Sequence, residues 1–328
     1  MSRQAFITGA TGFVGGHVAR ELVREGWQVT ALVRDNSSLR DIQDLGLELR
    51  EGDVTDRESL QRAIPRGCDA VFHVAANTSI WSRRNAEQTR INLHGTRHVI
   101  EAARAAGVQR LVHTSTFAVW GFGDRVVTEE TPRTTDSDWI NYVASKHAAE
   151  EEVKHAAERG GLDAVIMNPA HVLGPGDRHN WSRMIRMVDE GSLPGVPPGG
   201  GAFGDVREIA RAHVQAFHDG RRGTNYLLGG EDVEFIEVIR LVGELLGKPV
   251  PSKPTPAWVL KAVARFNVAR AAITGKEPDL TPEGAAMITQ HMGCDSSRAQ
   301  RELGYRFTPI RTLLEDTIRW MKREGLLK

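Results

Sequence analysis

FITGATGFVGGHVARELVREG, residues 6–26, joins an apolar run to an amphipathic helical pattern through glycines with Gly-x-x-Gly-x-x-Gly spacing. Gly9, Gly12 and Gly15 permit a tight turn in which backbone N–H groups approach a diphosphate closely. The N-terminus of the following helix stabilises the negative charge of such a group. The spacing has one more residue between the first two glycines than the G-x-G-x-x-G form. Between a strand and a helix the turn predicts a dinucleotide site, and a purely structural turn is the alternative.

The same order of strand and helix recurs through the first half of the chain. Most of the predicted strands read as nearly continuous apolar runs, as strands buried on both faces do. Helical patterns lie between them, for example at residues 13–26 and 91–107. We therefore predict an α/β fold, a Rossmann-type doubly wound parallel sheet with helices on both faces. The predicted strands are residues 4–9, 28–34, 48–53, 69–76, 108–116 and 163–170.

The composition changes beyond Pro169. Two stretches, 174–181 and 191–204, are rich in glycine and proline and are predicted to be loops. From residue 231 the pattern is mainly helical. We predict a smaller, mainly helical C-terminal substrate lobe beside the sheet. The predicted division is a dinucleotide-binding domain over 1–168, with a return excursion at about 205–230, and a substrate-binding lobe from 169–204 and 231–328.

Composition excludes several classes of protein. The 328 residues carry no formal net charge, so the basic footprint of a nucleic-acid binder is missing. Cys68 and Cys294 lie far apart and form no metal-ligand spacing, which fits a reducing compartment. No apolar stretch approaches the length of a membrane span or a signal sequence. We expect a cytoplasmic protein with a small-molecule substrate and with neither nucleic acid nor membrane as a partner.

The end of the second predicted strand bears on the form of the cofactor. An acidic residue there accepts hydrogen bonds from the ribose hydroxyls of NAD. Val33 occupies that position and Arg34 follows it, and an arginine fork suits the 2′-phosphate of NADP. NADP is therefore the predicted cofactor, while Asp35 leaves NAD as the alternative. At the third strand end, Asp53 is a candidate acceptor for the adenine amino group, and it or Thr55 is a candidate helix N-cap.

NYVASK, residues 141–146, places Tyr142 and Lys146 four residues apart in a helical pattern. Such residues share one helix face. A free tyrosine has a pKa of about 10, and a nearby ammonium lowers it. A phenol tuned in this way can protonate a carbonyl oxygen as hydride arrives, or take a proton in the reverse reaction. Lys146 is the first lysine in the chain, which favours a specific role for a compact point charge.

A hydroxyl group is also needed to hold the substrate oxygen. Thr114, Ser115 and Thr116 stand at the end of the fifth predicted strand, where open α/β sheets place their ligands. Side chains alternate along a strand, so Thr114 and Thr116 share a face while the strand stays regular.

The motifs TGATGFVG, GDVTD, HVAA, NLHGT and YVASK, in this order, resemble the extended short-chain dehydrogenase/reductases of the NAD-dependent epimerase/dehydratase superfamily. The dihydroflavonol-4-reductase-like branch is the most similar. The resemblance covers nearly the whole chain and implies that Tyr142, Lys146 and one hydroxyl form the catalytic set. It places that hydroxyl at Thr116, five residues before Gly121, with Ser115 as the alternative. It also implies that Asn92 supports the lysine through water.

The resemblance further implies that NPAHVLGPGD, residues 168–177, lines the nicotinamide, and that the protein is a homodimer packed through the helices around 90–106 and 139–160. Together, the glycine turn, the strand ends and the resemblance give the predicted cofactor-binding residues, which are Gly9, Thr11, Gly12, Phe13, Val14, Gly15, Arg34, Asp53, Val54, Val74, Ala75, Ala76, Thr114, Tyr142, Lys146, Pro169 and Val172.

Three functions are compatible with these motifs. The first is an NADP(H)-dependent oxidoreductase that reduces a ketone or aldehyde, with the tyrosine as general acid and base. The second is a sugar epimerase or dehydratase with tightly held NAD, although Ala202 stands where nucleotide-sugar enzymes usually carry an arginine. The third is a non-enzymatic regulator that senses dinucleotides, which has no need of a tuned phenol.

Overall fold

The structure is a computed structural model that describes residues 2–328. The strands are β1 (Gln4–Thr8), β2 (Gln28–Val33), β3 (Glu48–Glu51), β4 (Ala70–His73), β5 (Arg110–Thr114), β6 (Arg125–Val127), β7 (Asp163–Pro169), β8 (His171–Leu173), β9 (Gly200–Asp205), β10 (Asn225–Leu228), β11 (Glu231–Glu234) and β12 (His291–Cys294). The helices are α1 (Phe13–Arg24), α2 (Arg57–Ala63), α3 (Asn85–Thr89), α4 (Gly95–Ala106), α5 (Asn141–Glu158), α6 (Trp181–Asp189), α7 (Val206–Asp219), α8 (Phe235–Leu246), α9 (Ala257–Thr274), α10 (Pro282–Ile288), α11 (Ser297–Leu303) and α12 (Ile310–Arg323). 

The main sheet has seven parallel strands in the spatial order β10-β7-β5-β4-β1-β2-β3. Apolar side chains of α1 and α7 cover one face, and those of α2, α4 and α5 cover the other. The predicted Rossmann-type α/β class is confirmed. The strand order reverses between β1 and β4, and open sheets of this kind bind ligands beyond the carboxyl ends of the strands at such a reversal.

The smaller lobe is mainly helical, as expected, and it also contains a second sheet. Strands β11, β9, β12 and β6 are neighbours in this sheet, and β8 pairs with β9. The prediction of loop throughout 191–204 is wrong for its last part, because residues 200–205 form β9. A Cβ at Gly200 would stand 2.8 Å from the Val233 carbonyl oxygen. A Cβ at Gly201 would stand 2.6 Å from the Met292 carbonyl oxygen. Glycine-rich composition here reflects close strand approach rather than a loop.

Residues on both sides of the predicted domain boundary contribute to both sheets. The segment 205–228 returns to the main sheet as α7 and β10, and β10 pairs with β7. Strand β6 lies within the segment predicted as the first domain, yet it pairs with β12 of the second sheet. Across residues 2–328, no helix is both long enough and apolar enough to cross a bilayer.

Candidate active site

The glycine turn between β1 and α1 is closely packed against the end of β4. Gly9 has a φ of +79°, and a Cβ there would stand 2.6 Å from the Ala75 backbone nitrogen. A Cβ at Gly15 would overlap the Gly9 carbonyl oxygen. Gly12 precedes α1 as its N-cap, and no side chain caps this helix end. The turn therefore has the close-packed backbone and open helix N-terminus that a diphosphate requires.

A cleft of about 860 Å³ runs from this turn along the carboxyl ends of β1, β2 and β4. Phe13 instead lines an adjoining cavity beside Pro175 and Trp320. Val14 and Val172 pack against the hydrophobic core beneath the turn. The predicted cofactor-binding residues that line the cleft itself are Gly9, Thr11, Gly12, Arg34, Asp53, Val54, Val74, Ala75 and Ala76.

Arg34 lies at the rim of the cleft, where its guanidinium is exposed and forms no ion pair within residues 2–328. Its backbone nitrogen donates to the Ser37 hydroxyl at 3.1 Å, and Ser37 also lines the cleft. Asp35 is exposed and does not belong to the described residues that line this cleft. Sequence reasoning missed Ser37, because the loop after β2 has no pattern that shows which side chains turn inward.

The Asp53 carboxylate accepts from the Thr55 backbone nitrogen at 2.8 Å and lines the cleft. Neither Asp53 nor Thr55 caps α2, so both N-cap alternatives from the sequence are wrong. Asp56 is the cap, and it accepts from the backbone nitrogens of Glu58 at 2.9 Å and Ser59 at 3.2 Å. Asp53 is thereby left free of a capping role, and it lines the cleft.

Lys146 lies on α5 and is 2% exposed. Its Nζ donates to the Thr114 carbonyl oxygen at 2.7 Å, which ties α5 to the end of β5. Burial lowers the pKa of Lys146 to about 8, and the charge of Glu150 opposes that shift. Lys146 therefore titrates near the physiological range.

Tyr142 lies one turn earlier on α5, and Thr116 is the polar side chain that influences its pKa. Burial raises the pKa of Tyr142, and the nearby Thr116 hydroxyl opposes the increase, although no hydrogen bond of good geometry joins the two described side chains. The expected lowering by Lys146 is therefore not found, because loss of hydration outweighs the polar contacts of the phenol. A raised pKa keeps the phenol protonated at neutral pH.

The three hydroxyls after β5 point to different places. The Thr116 hydroxyl lies at Tyr142, and it also accepts from the Ala118 backbone nitrogen at 3.3 Å. The Thr114 hydroxyl is hydrogen-bonded to the His213 ring on α7 at 2.9 Å. The Ser115 hydroxyl is buried on the Glu150 side and helps to lower the pKa of that carboxyl, although no hydrogen bond of good geometry joins them. Of the three hydroxyls, that of Thr116 is the one the structure places at the phenol.

Asn92 lies in a π-helical segment, Arg90–His94, that precedes α4. Its Nδ2 donates to the Ser145 hydroxyl at 3.1 Å and to the Asn77 carbonyl oxygen at 3.0 Å. Its Oδ1 accepts from the Asn77 backbone nitrogen at 2.8 Å. Asn92 thus joins the cleft wall after β4 to the residue that precedes Lys146, while its predicted support of the lysine through water remains a prediction. Single π turns are frequent at functional sites.

Glu150 is a residue of the site that sequence reasoning missed. It follows Lys146 by one helical turn and is 1% exposed. Its carboxylate accepts from Asn168 Nδ2 at 2.9 Å and from Asn225 Nδ2 at 2.8 Å. Asn168 Nδ2 also donates to the Thr116 carbonyl oxygen at 3.1 Å. Burial alone would raise the pKa of Glu150, but the Lys154 ammonium and the hydrogen bonds hold it below its ordinary value. The i, i+4 spacing after Lys146 was the available signal.

Comparison with known proteins agrees with this architecture. The family model described as the NAD dependent epimerase/dehydratase family matches residues 5–229, more than half of the chain. The chain belongs to the NAD dependent epimerase/dehydratase family. The resemblance to extended short-chain dehydrogenase/reductases is confirmed, and membership supports a nicotinamide dinucleotide cofactor and NAD(P)-dependent oxidoreductase chemistry.

Relatives within this family cover nearly the full chain. A protein of Synechocystis sp. with the provisional name dihydroflavonol 4-reductase is 33% identical over 98% of this chain and 96% of its own length. Cinnamoyl-CoA reductase 1 of Oryza sativa subsp. japonica is 29% identical over 98% of this chain and 91% of its own length. The crystal structure of gox2253 matches with a TM-score of 0.86 and 32% identity over the whole of both chains.

Proposed function

We propose that this protein is an NADP(H)-dependent oxidoreductase that reduces the carbonyl group of a ketone or aldehyde to an alcohol. The observation that carries the proposal is that Thr116 neighbours Tyr142, whose pKa its hydroxyl influences, one helical turn from buried Lys146. The reductase names of the relatives described above support the same class of reaction.

The residues of this chain have separate tasks in that reaction. The bound dinucleotide supplies the hydride, or accepts it in the reverse direction. Tyr142 donates a proton to the substrate carbonyl oxygen, and its raised pKa keeps that proton available at neutral pH. Thr116 holds the same oxygen by a hydrogen bond. Lys146 is fixed by the Thr114 carbonyl oxygen and stabilises negative charge that develops on the phenol.

The cofactor that we propose for the cleft is a phosphorylated dinucleotide. We assign the close-packed turn of Gly9 and Gly15 to the diphosphate, and we assign Asp53, which lines the same cleft, to the adenine amino group. The unpaired Arg34 guanidinium at the rim is suited to a 2′-phosphate, with the Ser37 hydroxyl beside it. An NAD cofactor with Asp35 on the ribose is the alternative.

An epimerase or dehydratase with tightly held NAD is the second candidate, because the family name includes those activities. One structural feature opposes it. Ala202 lies in β9 and is fully buried among apolar side chains, including Leu227 and Met292, so position 202 itself supplies no cation for a sugar diphosphate. A dinucleotide-sensing regulator would not need the arrangement of Tyr142, Thr116 and Lys146.

A panel of ketones and aldehydes with NADPH or NADH tests the proposal through loss of reduced-nicotinamide absorbance. The expected result is turnover with at least one carbonyl compound, faster with NADPH, and its loss in Tyr142→Phe. A purified protein that releases bound NAD on denaturation and interconverts sugar epimers, without net cofactor oxidation, would contradict the proposal in favour of the second candidate.

A further inference from the structure

Helix α9 presents an apolar stripe to solvent. Its buried residues are Ala264 and Ala271, on the side that packs against α10. The exposed side carries Trp258, Phe266 and Ile273, which are 73%, 69% and 89% exposed. At about 100° per residue these three side chains fall within about 80° of one another around the helix axis. Large apolar side chains grouped in this way mark an interaction surface.

All charged residues in the segment around this stripe are lysines or arginines. No acidic residue occurs between Glu244 and Glu277, although the whole chain has a net charge of zero. Helical geometry puts Lys261 and Arg265 on one flank of the stripe and Arg270 on the other. Between Glu244 and Glu277, the exposed basic residues that form no ion pair with any described residue are Lys253, Lys261, Arg265, Arg270 and Lys276.

Acidic residues that follow α9 are engaged elsewhere or lie on the next helix. Glu277 accepts from the Ser79 hydroxyl at 2.7 Å, and Asp279 pairs with Arg183 at 2.5 Å. Glu283 begins α10. The cations of α9 therefore face solvent without local neutralisation.

We propose that α9 docks this protein on an anionic lipid surface, with the helix lying flat in the membrane interface. An apolar stripe of tryptophan, phenylalanine and isoleucine between flanking lysines and arginines is the arrangement that interfacial helices use. Anionic headgroups complement the cations, and the stripe enters the boundary of the acyl chains. The expectation of no membrane partner was based on the lack of a spanning segment, which a helix lying flat does not require.

A second copy of the chain is a poorer occupant of this face. Two-fold pairing through α9 would bring the same uncompensated cations of both copies together, and like charges brought together in this way repel. The dimer that the family resemblance implies uses the helices around 90–106 and 139–160 instead. Charge complementarity therefore favours a lipid surface over self-association.

The docking surface adjoins the rim of the dinucleotide cleft. The loop from α9 to α10 contacts that rim, where both Ser79 and Glu277 line the cleft. Thr281 donates from its hydroxyl to the Ile80 carbonyl oxygen at 2.8 Å, which anchors the start of α10 beside it. A protein docked in this way holds the cleft rim near the lipid surface. The docking proposal does not depend on the reaction proposed above.

Co-sedimentation of the full-length protein with vesicles tests this proposal. The probes are phosphatidylcholine vesicles with or without about one third phosphatidylglycerol, at about 0.1 M and about 0.5 M salt. We expect binding to the anionic vesicles at low salt, weak binding to neutral vesicles, and partial release at high salt. The triple variant Lys261→Gln/Arg265→Gln/Arg270→Gln removes three cations, each of which should raise the partition coefficient about tenfold or less. The variant should therefore have a partition coefficient about 100-fold lower than the wild type.

An apolar variant tests the stripe separately. Trp258→Ser/Phe266→Ser/Ile273→Ser should lower partitioning by at least about tenfold, because the buried apolar area is lost. These side chains are exposed, so the variant should melt at the wild-type temperature. Control variants remove exposed apolar or cationic side chains that lie off the patch, and they should bind vesicles like the wild type. The controls are Val126→Ser/Phe307→Ser for the apolar arm and Arg66→Gln/Arg159→Gln/Arg306→Gln for the cation arm.

Three results would overturn the proposal. One is a wild-type protein that does not bind anionic vesicles at low salt. Another is binding that both patch variants retain, or that the control variants lose equally. The last is sedimentation velocity showing that the wild type self-associates through this face and the apolar variant does not, with no difference between them on vesicles.

Discussion

Glu150→Ala removes a buried carboxylate that joins α5 to the strand ends carrying the candidate site. The carboxylate accepts from Asn168 Nδ2 and Asn225 Nδ2, at 2.9 Å and 2.8 Å. It also pairs with Lys154 Nζ at 2.9 Å. Asn168 in turn donates to the Thr116 carbonyl oxygen at 3.1 Å. The substitution should therefore reduce both stability and turnover.

The magnitude follows from the groups left without a partner. Each asparagine amide loses one acceptor inside the protein, at about 1–3 kcal/mol each. The Lys154 contact adds less than about 1 kcal/mol, because that side chain is 31% exposed and water replaces its partner. We expect the free energy of unfolding to fall by about 4 kcal/mol, which corresponds to about 6 °C in Tm for a chain of this length.

Denaturant unfolding of Glu150→Ala and Glu151→Ala measures this difference. Glu151 is the matched control, because it also pairs with Lys154, at 3.2 Å, but is 54% exposed. Its removal should cost less than about 1 kcal/mol. If Glu150→Ala unfolds within about 1 kcal/mol of the wild type, the buried network does not stabilise the fold as argued.

The same carboxylate makes the stability of the folded protein depend on pH in the acid range. The pKa of Glu150 is lowered in the folded protein, despite burial, by the Lys154 charge and the hydrogen bonds. Its stabilisation is thus present above the ordinary glutamate pKa of 4.5 and is lost as pH falls through the lower folded value. Unfolding measured from neutral to acid pH should show a smaller decrease in stability for Glu150→Ala than for the wild type.

The remaining predictions concern catalysis and cofactor choice. Tyr142→Phe should lower kcat about 10²–10⁴-fold and leave dinucleotide binding intact, as measured by turnover and cofactor titration. Thr116→Val should impair turnover more than Ser115→Ala, because only the Thr116 hydroxyl lies at the phenol. Arg34→Ala should lower the affinity for NADPH about tenfold or more and leave the affinity for NADH nearly unchanged, as measured by parallel titrations. The kcat/KM for carbonyl reduction should decline above pH about 8, where Lys146 loses its charge, and a Lys146→Met variant should lack that transition.

Each of these predictions can fail separately. A Tyr142→Phe enzyme with wild-type kcat has another acid, and a larger loss in Ser115→Ala than in Thr116→Val moves the catalytic hydroxyl to Ser115. If Arg34→Ala loses affinity equally for both cofactors, or if the wild type prefers NADH, the NADP assignment is refuted. A pH profile that is unchanged in Lys146→Met would show that the alkaline transition belongs to another group.

The sequence alone predicted the features that depend on neighbours along the chain. The glycine turn at residues 9–15 is such a case, because only a residue without Cβ fits against Ala75 and the Gly9 carbonyl oxygen. The shared helix face of Tyr142 and Lys146 follows from a spacing of four residues. Both features were readable because helix period and turn sterics act over a few residues.

Composition was less reliable where strands from distant segments meet. Residues 200–204 read as a glycine-rich loop, yet they belong to β9, since glycine lets them approach the strands at Val233 and Met292. The cap of α2 was likewise misassigned, because Asp53, Thr55 and Asp56 are all chemically competent caps. Asp56 is the residue with extended backbone directly before α2, and its carboxylate accepts from the backbone nitrogens of Glu58 and Ser59.

The tertiary structure alone decided which groups touch. It turned Thr114 to His213, Ser115 to the Glu150 side and Thr116 to Tyr142, because packing of α5 and α7 against β5 fixes where each hydroxyl points. Burial, which no local pattern measures, raised the pKa of the phenol instead of lowering it. Glu150 and Glu151 have the same charge and the same helix propensity, so the sequence does not distinguish them. Burial does, because Glu150 is enclosed between α5 and two strands while Glu151 is exposed.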